Sequence, residues 1–220
     1  HPHVMCNLMD QYASELGRSD HALLLDCRTL SHVNIPVNLD DHRIVIISSE
    51  VKRELASSAY NERRAQCDEG VALFRQYDPT IASLRDVTPD LFDAYCDQLS
   101  EVVFRRCRHV ITENARVLDA SAALAAGELP QFGRLMTASH HSLKEDFEVS
   151  CDELDCLVDI ANCTEGVLGS RMTGAGFGGC TVTLIHMDAI ETLSANLLSY
   201  TDRFGLNPKM FVLQRNLEAG

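Results

Sequence analysis

The segment MTGAGFGGC, residues 172 to 180, places four glycines within six positions. Glycine loses more backbone freedom on folding than any other residue, so such a cluster needs a reason. One reason is close approach: bare backbone N–H groups can face a phosphate, or let a ligand lie against the chain. Gly174-Ala175-Gly176-Phe177-Gly178-Gly179 fits the spelling GxGxxG. That spelling marks a dinucleotide site only between a strand and a helix. Here it is followed by CTVTLI, whose alternation predicts a strand, so a nicotinamide dinucleotide is excluded. The plain alternative is a glycine-rich connection between two strands. The loop alone does not choose between that and the wall of a ligand site.

Other residues carry possible chemistry. Asp10 is an acid in a predicted first helical turn, a position the helix dipole favours for a carboxylate. Tyr60 has a hydrogen-bonding tip on an apolar body and reads as a half-buried helix residue. Arg63 and Arg64 read as a solvated face or a helix ion pair. Asp26, on a predicted strand, reads as structural. Ser170 and Arg171 flank the glycine loop without an assignable role. His140 and His141 are neighbours, so on a helix they point about 100° apart. A shared metal is not expected there; solvent-facing or capping roles are. No residue of the chain is assigned to a metal. The first residues, HPH, place a histidine third, as in copper-chelating N-termini, but Pro2 has no N–H to give.

The elements that must position these residues follow from periodicity. Residues 6–17 predict a helix with a glycine stop. Residues 21–28, 35–41 and 42–49 predict strands, the second short and running into a turn. Helices are expected over 57–77, over 91–126 with an interruption, over 129–147 and over 151–163. Thr88-Pro89 marks a helix start, and Ser150 is the expected N-cap of the last helix. VLGSRMT and CTVTLIH form strands on either side of the glycine loop, residues 187–205 a helix, and KMFVLQR a final strand. The class is α+β. Residues 1–50 are expected to be β-rich, and 51–220 helical with a late small sheet.

Composition bounds the function. Of 220 residues, 45% are hydrophobic, enough for a packed core. No apolar run approaches the 18 or so residues of a membrane span. The net charge of −13 disfavours nucleic-acid binding, which needs a basic face. Nine cysteines with no CxxC pair read as reduced thiols of a cytosolic protein, mostly small core residues. The chain begins without methionine and without a signal-peptide pattern, and is read as starting inside a longer product.

RMTGAGFGGCTVTL resembles the third motif of the GHMP kinases, a family of small-molecule kinases. VKRELASSAYNERRAQC, RHVITENARVLDA, FGRLMTASHHSLKEDFEVSCDELDCLV and MDQYASELGRSDHALLLDCR are similar to galactokinase segments and stand in the same order. The resemblance runs from Cys6 to about Arg215. It implies a GHMP-kinase fold: a C-terminal ferredoxin-like domain, 51–220, preceded by a remnant of the N-terminal α/β domain, 1–50. It implies transfer of the γ-phosphate of ATP, with Mg2+, to the C1 hydroxyl of galactose, in the cytoplasm. By the same resemblance Asp10 takes the proton of the attacking hydroxyl or stabilises the developing alkoxide, and Tyr60 contacts the sugar. Gly174 and residue 7 lie beside the sugar, and Gly174 to Gly179 form part of the ATP-binding wall.

The sequence departs from the family in two places. Asn7 stands where the family has glycine. The galactose signature, the serine-rich phosphate loop and the magnesium-associated acid, which the family carries before the first helix, have no match here. Little or no phosphoryl transfer is therefore expected from this chain alone. The missing strands are expected to leave apolar faces around Leu23–Leu25 and Ile44–Ile47 uncovered. Three alternatives stay open: a sugar- and nucleotide-binding sensor that signals to a partner, a kinase of a related sugar such as N-acetylgalactosamine, and an inactive fragment.

Overall fold

The computed structural model describes residues 5–51 and 56–213, with only the backbone described for 5–10 and 56–58. Chain order is α1 (Met5–Leu16), β1 (His21–Leu25), β2 (His32–Pro36), β3 (His42–Ser48), α2 (Ala56–Phe74), α3 (Pro89–Tyr95), α4 (Glu101–Ala125), α5 (Leu129–Glu145) and α6 (Asp152–Asn162). It continues with β4 (Val167–Thr173), β5 (Cys180–His186), α7 (Ile190–Asn196), α8 (Leu198–Phe204) and β6 (Lys209–Val212). Local signals set several boundaries. Thr88 caps α3 by accepting the Leu91 N–H, with Pro89 in its first turn. Ser100 caps α4 the same way through Val103. Gly205, at φ 67°, ends α8. Ser150 is not the cap of α6: Cys151 holds that position, and Ser150 donates to Asp155 instead. The helix expected over 187–205 is broken at Leu197 into α7 and α8.

Four strands form one antiparallel sheet in the order β4-β5-β3-β6. β3 pairs Val45 with Thr183 of β5 and with Val212 of β6. The sheet thus takes a central strand from before residue 50. Alternation along β3 sends Val45 and Ile47 to one face, where they pack with Leu157, Ala161, Leu193 and Tyr200 of α6, α7 and α8. Ile44 and Leu184 face the other way, toward α5, the end of α4 and the β1–β2 pair. The expectation of an uncovered face at Ile44–Ile47 is corrected for Val45 and Ile47, which are fully buried, while Ile44 and Ile46 on the other face are half-buried. The cover of Val45 and Ile47 comes from helices of this chain. A third cluster joins α2, α3 and α4 around Phe74, Phe92 and Cys107.

α5 lies close to β4 because both carry a glycine at the contact. A Cβ on Gly169 would stand 1.9 Å from the Gly133 carbonyl oxygen, so neither position has room for one. The β1–β2 hairpin is tied to the α2–α3 connection by two ion pairs, Asp26 with Arg85 and Arg28 with Asp86, each at 2.6 Å. Asp26 also accepts the Arg28 N–H. The Arg85 hydrogen bonds hold its carboxyl well below the usual range, which supports the structural reading. Among the described residues eight cysteines are free thiols: Cys107 is fully buried, Cys67, Cys96, Cys151 and Cys156 pack partly buried against the core, and Cys27 and Cys163 are exposed.

Candidate active site

The glycine loop joins β4 to β5, which pair at Thr173 and Cys180. It is a strand–strand connection, as the sequence required. Five of its six residues have positive φ: Gly174 at 81°, Gly176 at 87°, Phe177 at 58°, Gly178 at 122° and Gly179 at 92°. Glycine adopts this region freely and phenylalanine does not, so contacts must hold Phe177 there. Its N–H donates to the Val149 carbonyl at 2.8 Å. A Cβ on Gly176 would stand 2.0 Å from that same oxygen. At its far end the loop is fixed by Ser49, whose N–H donates to the Gly179 carbonyl at 2.8 Å.

A cavity of about 280 Å³ opens beside the loop, lined by Gly174, Ala175 and Phe177, by Tyr60 and Arg63 of α2, and by Phe147 and Val149. Its size lies near the lower end of small-molecule pockets, about 300–1,000 Å³. The structure therefore brings together two predicted site regions far apart in the chain, Tyr60 and the first half of the glycine loop. Gly176, Gly178 and Gly179 do not line the cavity; they shape the loop from behind. Asn7 falls in the first turn of α1 and Asp10 in the second, and their side chains lie outside the described residues. The helix-dipole argument for Asp10 is thereby corrected, since no acid occupies the first turn.

Arg63 and His140, read as solvated, take other roles, while Arg64 and His141 do not. Arg63 is largely buried; its Nε donates to the Phe147 carbonyl at 2.6 Å and its Nη2 to that of Glu148 at 3.0 Å. Arg64 is exposed and pairs with Asp68 one helical turn on. His140 is buried, not solvent-facing, and its Nδ1 accepts the Met172 N–H at 3.2 Å. Its Nε2 lies 3.3 Å from Asp155, which also meets Lys144 and Ser150. Burial works to raise the Asp155 carboxyl; hydrogen bonds from His140, Ser150 and Lys144 outweigh it and bring it down to about 2. His140 thus anchors the end of β4, two residues before the glycine loop. His141 is exposed. Ser170 and Arg171, unassigned from sequence, bond to Thr183 and pair with Glu113. Burial pushes the Cys67 thiol, at the cavity wall, up to about 11, so it is not a thiolate nucleophile.

Sequence reasoning missed Arg106 and Glu148. Arg106 is fully buried on α4 and donates to the Glu148 carboxylate. Nothing in its sequence setting, FRRCRHV, separates it from solvated neighbours. Among the described residues no group of three acidic, histidine or cysteine residues could hold a magnesium ion, and the Phe177 N–H of the loop is already bonded to Val149.

The family described as GHMP kinases C terminal matches residues 120–200. The galactokinase of Roseiflexus sp. (strain RS-1) is 44% identical over 210 residues, which are 95% of this chain and 54% of that protein. The galactokinase of Clostridium perfringens is 42% identical over 211 residues, again 95% and 54%. A structure of Lactococcus lactis galactokinase complexed with galactose superposes with a TM-score of 0.88 at 40% identity, covering 94% of this chain and 54% of that one. L. major mevalonate kinase, at 18% identity and a TM-score of 0.55 over 88% of this chain and 49% of that one, shares the fold. The chain spans about half the length of the curated relatives it matches. The α+β architecture is that of the GHMP kinases. Residues 120–200 are similar to the C-terminal region of the GHMP kinases, and along nearly its whole length the chain is similar to about half of a galactokinase.

Proposed function

We propose that this chain forms part of a galactokinase, which transfers the γ-phosphate of ATP to the C1 hydroxyl of galactose. The observation that carries the reading is the cavity: Tyr60 and Gly174, assigned to the sugar by resemblance, line one space. The Lactococcus relative's bound galactose supports the sugar class. In this reading Asp10 accepts the proton of the attacking hydroxyl, a general-base role. Tyr60 fixes the sugar through its phenol, and the glycine loop closes the wall. The residues that hold Mg-ATP belong to the part of the relatives that this chain does not match; when bound, Mg-ATP supplies the transferred phosphoryl group. The working protein is cytoplasmic. The domain division at residue 50 falls between β3 and α2, with β3 lending its strand to the second domain's sheet.

A kinase of a related sugar, such as N-acetylgalactosamine, is the second reading, because the segment that the resemblance assigns to sugar choice has no match in this chain. The test places this chain behind the N-terminal region of the Roseiflexus galactokinase and measures Mg-ATP-dependent phosphorylation. The proposal expects turnover of galactose above N-acetylgalactosamine and glucose. Preference for N-acetylgalactosamine would move the assignment to the second reading, and no turnover of any sugar by folded chimera would remove it.

A further inference from the structure

Helix α5 ends in carbonyls that no helical N–H reaches. From its last residue onward, four successive carbonyls accept hydrogen bonds from three arginines. Arg105 Nη1 donates to Glu145 O at 3.2 Å, and Arg106 Nη1 to Asp146 O at 2.5 Å. Arg63 donates from Nε to Phe147 O at 2.6 Å and from Nη2 to Glu148 O at 3.0 Å. Cations at a helix C-terminus oppose the negative end of the dipole, and the guanidinium fork suits paired acceptors. Glu148 sits at φ 52°, a strained position for a residue with a side chain. Its carboxylate accepts from Arg105 and Arg106, each at 2.5 Å. Burial works to raise the Glu148 carboxyl, and these two arginines outweigh it and hold it below the usual range. Arg106 also donates from Nε to Gln66 of α2 at 2.8 Å.

The next carbonyl along the strip is Val149 O, which accepts the Phe177 N–H. One end of the strip is therefore held by arginines, and the other end holds the glycine loop. Arg63 lies on α2, one helical turn beyond Tyr60.

We propose that Arg63, Arg105 and Arg106 form a clamp that sets the position of the 174–177 backbone against Tyr60, and through it the fit of the sugar. Arg105 and Arg106 do not line the cavity and are positioning residues, while Arg63 both holds the strip and lines the cavity. The sugar part of this inference rests on the galactokinase reading; the loop part does not.

Hydrogen exchange on the 220-residue chain tests the loop part, comparing wild type, Arg106→Gln, Arg63→Lys and a control in another cluster, Leu193→Ala. In both arginine variants the segment 172–180 is expected to exchange about 10-fold faster, a loss of about 1.4 kcal/mol of local protection, while 42–48 keeps its wild-type rate. Leu193→Ala should speed all segments together. If Arg106→Gln fails to fold, Arg63→Lys decides, because it keeps the charge and loses only the fork. Unchanged exchange at 172–180, or a rise only in step with the whole chain, would overturn the clamp.

The sugar part is read in the chimera. Arg106→Lys, at a residue that does not line the cavity, is expected to raise KM for galactose about 10-fold with kcat within about 3-fold. An unchanged KM would confine the clamp to the loop and overturn its role in sugar fit. An inactive wild-type chimera would overturn the kinase reading, while the exchange result still decides the clamp.

Discussion

Gly176 has neither the space nor the backbone conformation for a side chain. Its φ is 87°, and an added Cβ would meet Val149 O at 2.0 Å. Gly127 shares the positive φ, at 73°, with nothing within 4 Å. Gly176→Ala should therefore cost about 2–4 kcal/mol in a urea melt and Gly127→Ala about 1 kcal/mol. Equal losses would mean that φ alone matters and the Val149 contact does not. His109 makes a second prediction. It is buried beside Ser142, at 2.9 Å, and stacks on Phe147. Burial, followed by the Arg116 charge, pushes its imidazole down to about 4. Between about pH 6.5 and 4 the unfolded chain binds a proton that the folded chain refuses. Stability should fall with pH across that window by up to ~1.4 kcal/mol per unit. His109→Asn should flatten the fall in Tm between about pH 7 and about pH 5; an unchanged slope would assign it to other groups. At this scale the sequence announced residues with distinctive types. The glycine run and, by resemblance, Tyr60 were legible. Arg63, Arg106 and His140 were not, because a charged helix residue is ordinarily solvated, and their partners, the 146–148 carbonyls for the arginines and the Met172 N–H and Asp155 for His140, lie far along the chain. The positive φ of Glu148 leaves no mark in composition.

Element types were legible where periodicity was strong: β3, β4, β5 and α2 through α6 lie within a few residues of expectation. Three features were not. β2 begins at His32, ahead of the expected Ile35, because pairing with β1 extends it. The last helix breaks at Leu197, where no proline or glycine warns of it. β3 crosses into the late sheet, since strand partners are set by long-range packing that alternation cannot name. The position of β3 between β5 and β6 carries a prediction. Ile47 is fully buried at the sheet centre. Ile47→Ala should cost about 2–5 kcal/mol and melt the sheet and α6–α8 in one transition. A loss under about 1 kcal/mol would show that β3 is not an integral strand of that sheet.

At the scale of the whole molecule, the described residues form one wall of a sugar-sized cavity, and the chain matches about half of each galactokinase relative. The wall was legible as a loop with a purpose; its owner came from several segments in family order, not from the glycines alone. The central claim is that the chain brings the catalytic base, Asp10, to a galactokinase site. The direct measurement is the galactose turnover of the chimera with the Roseiflexus N-terminal region, with and without Asp10→Asn. The account predicts active wild-type chimera and a loss in kcat of about 10²–10⁴-fold in Asp10→Asn, in a protein with an unchanged melt. Full activity in Asp10→Asn would contradict it.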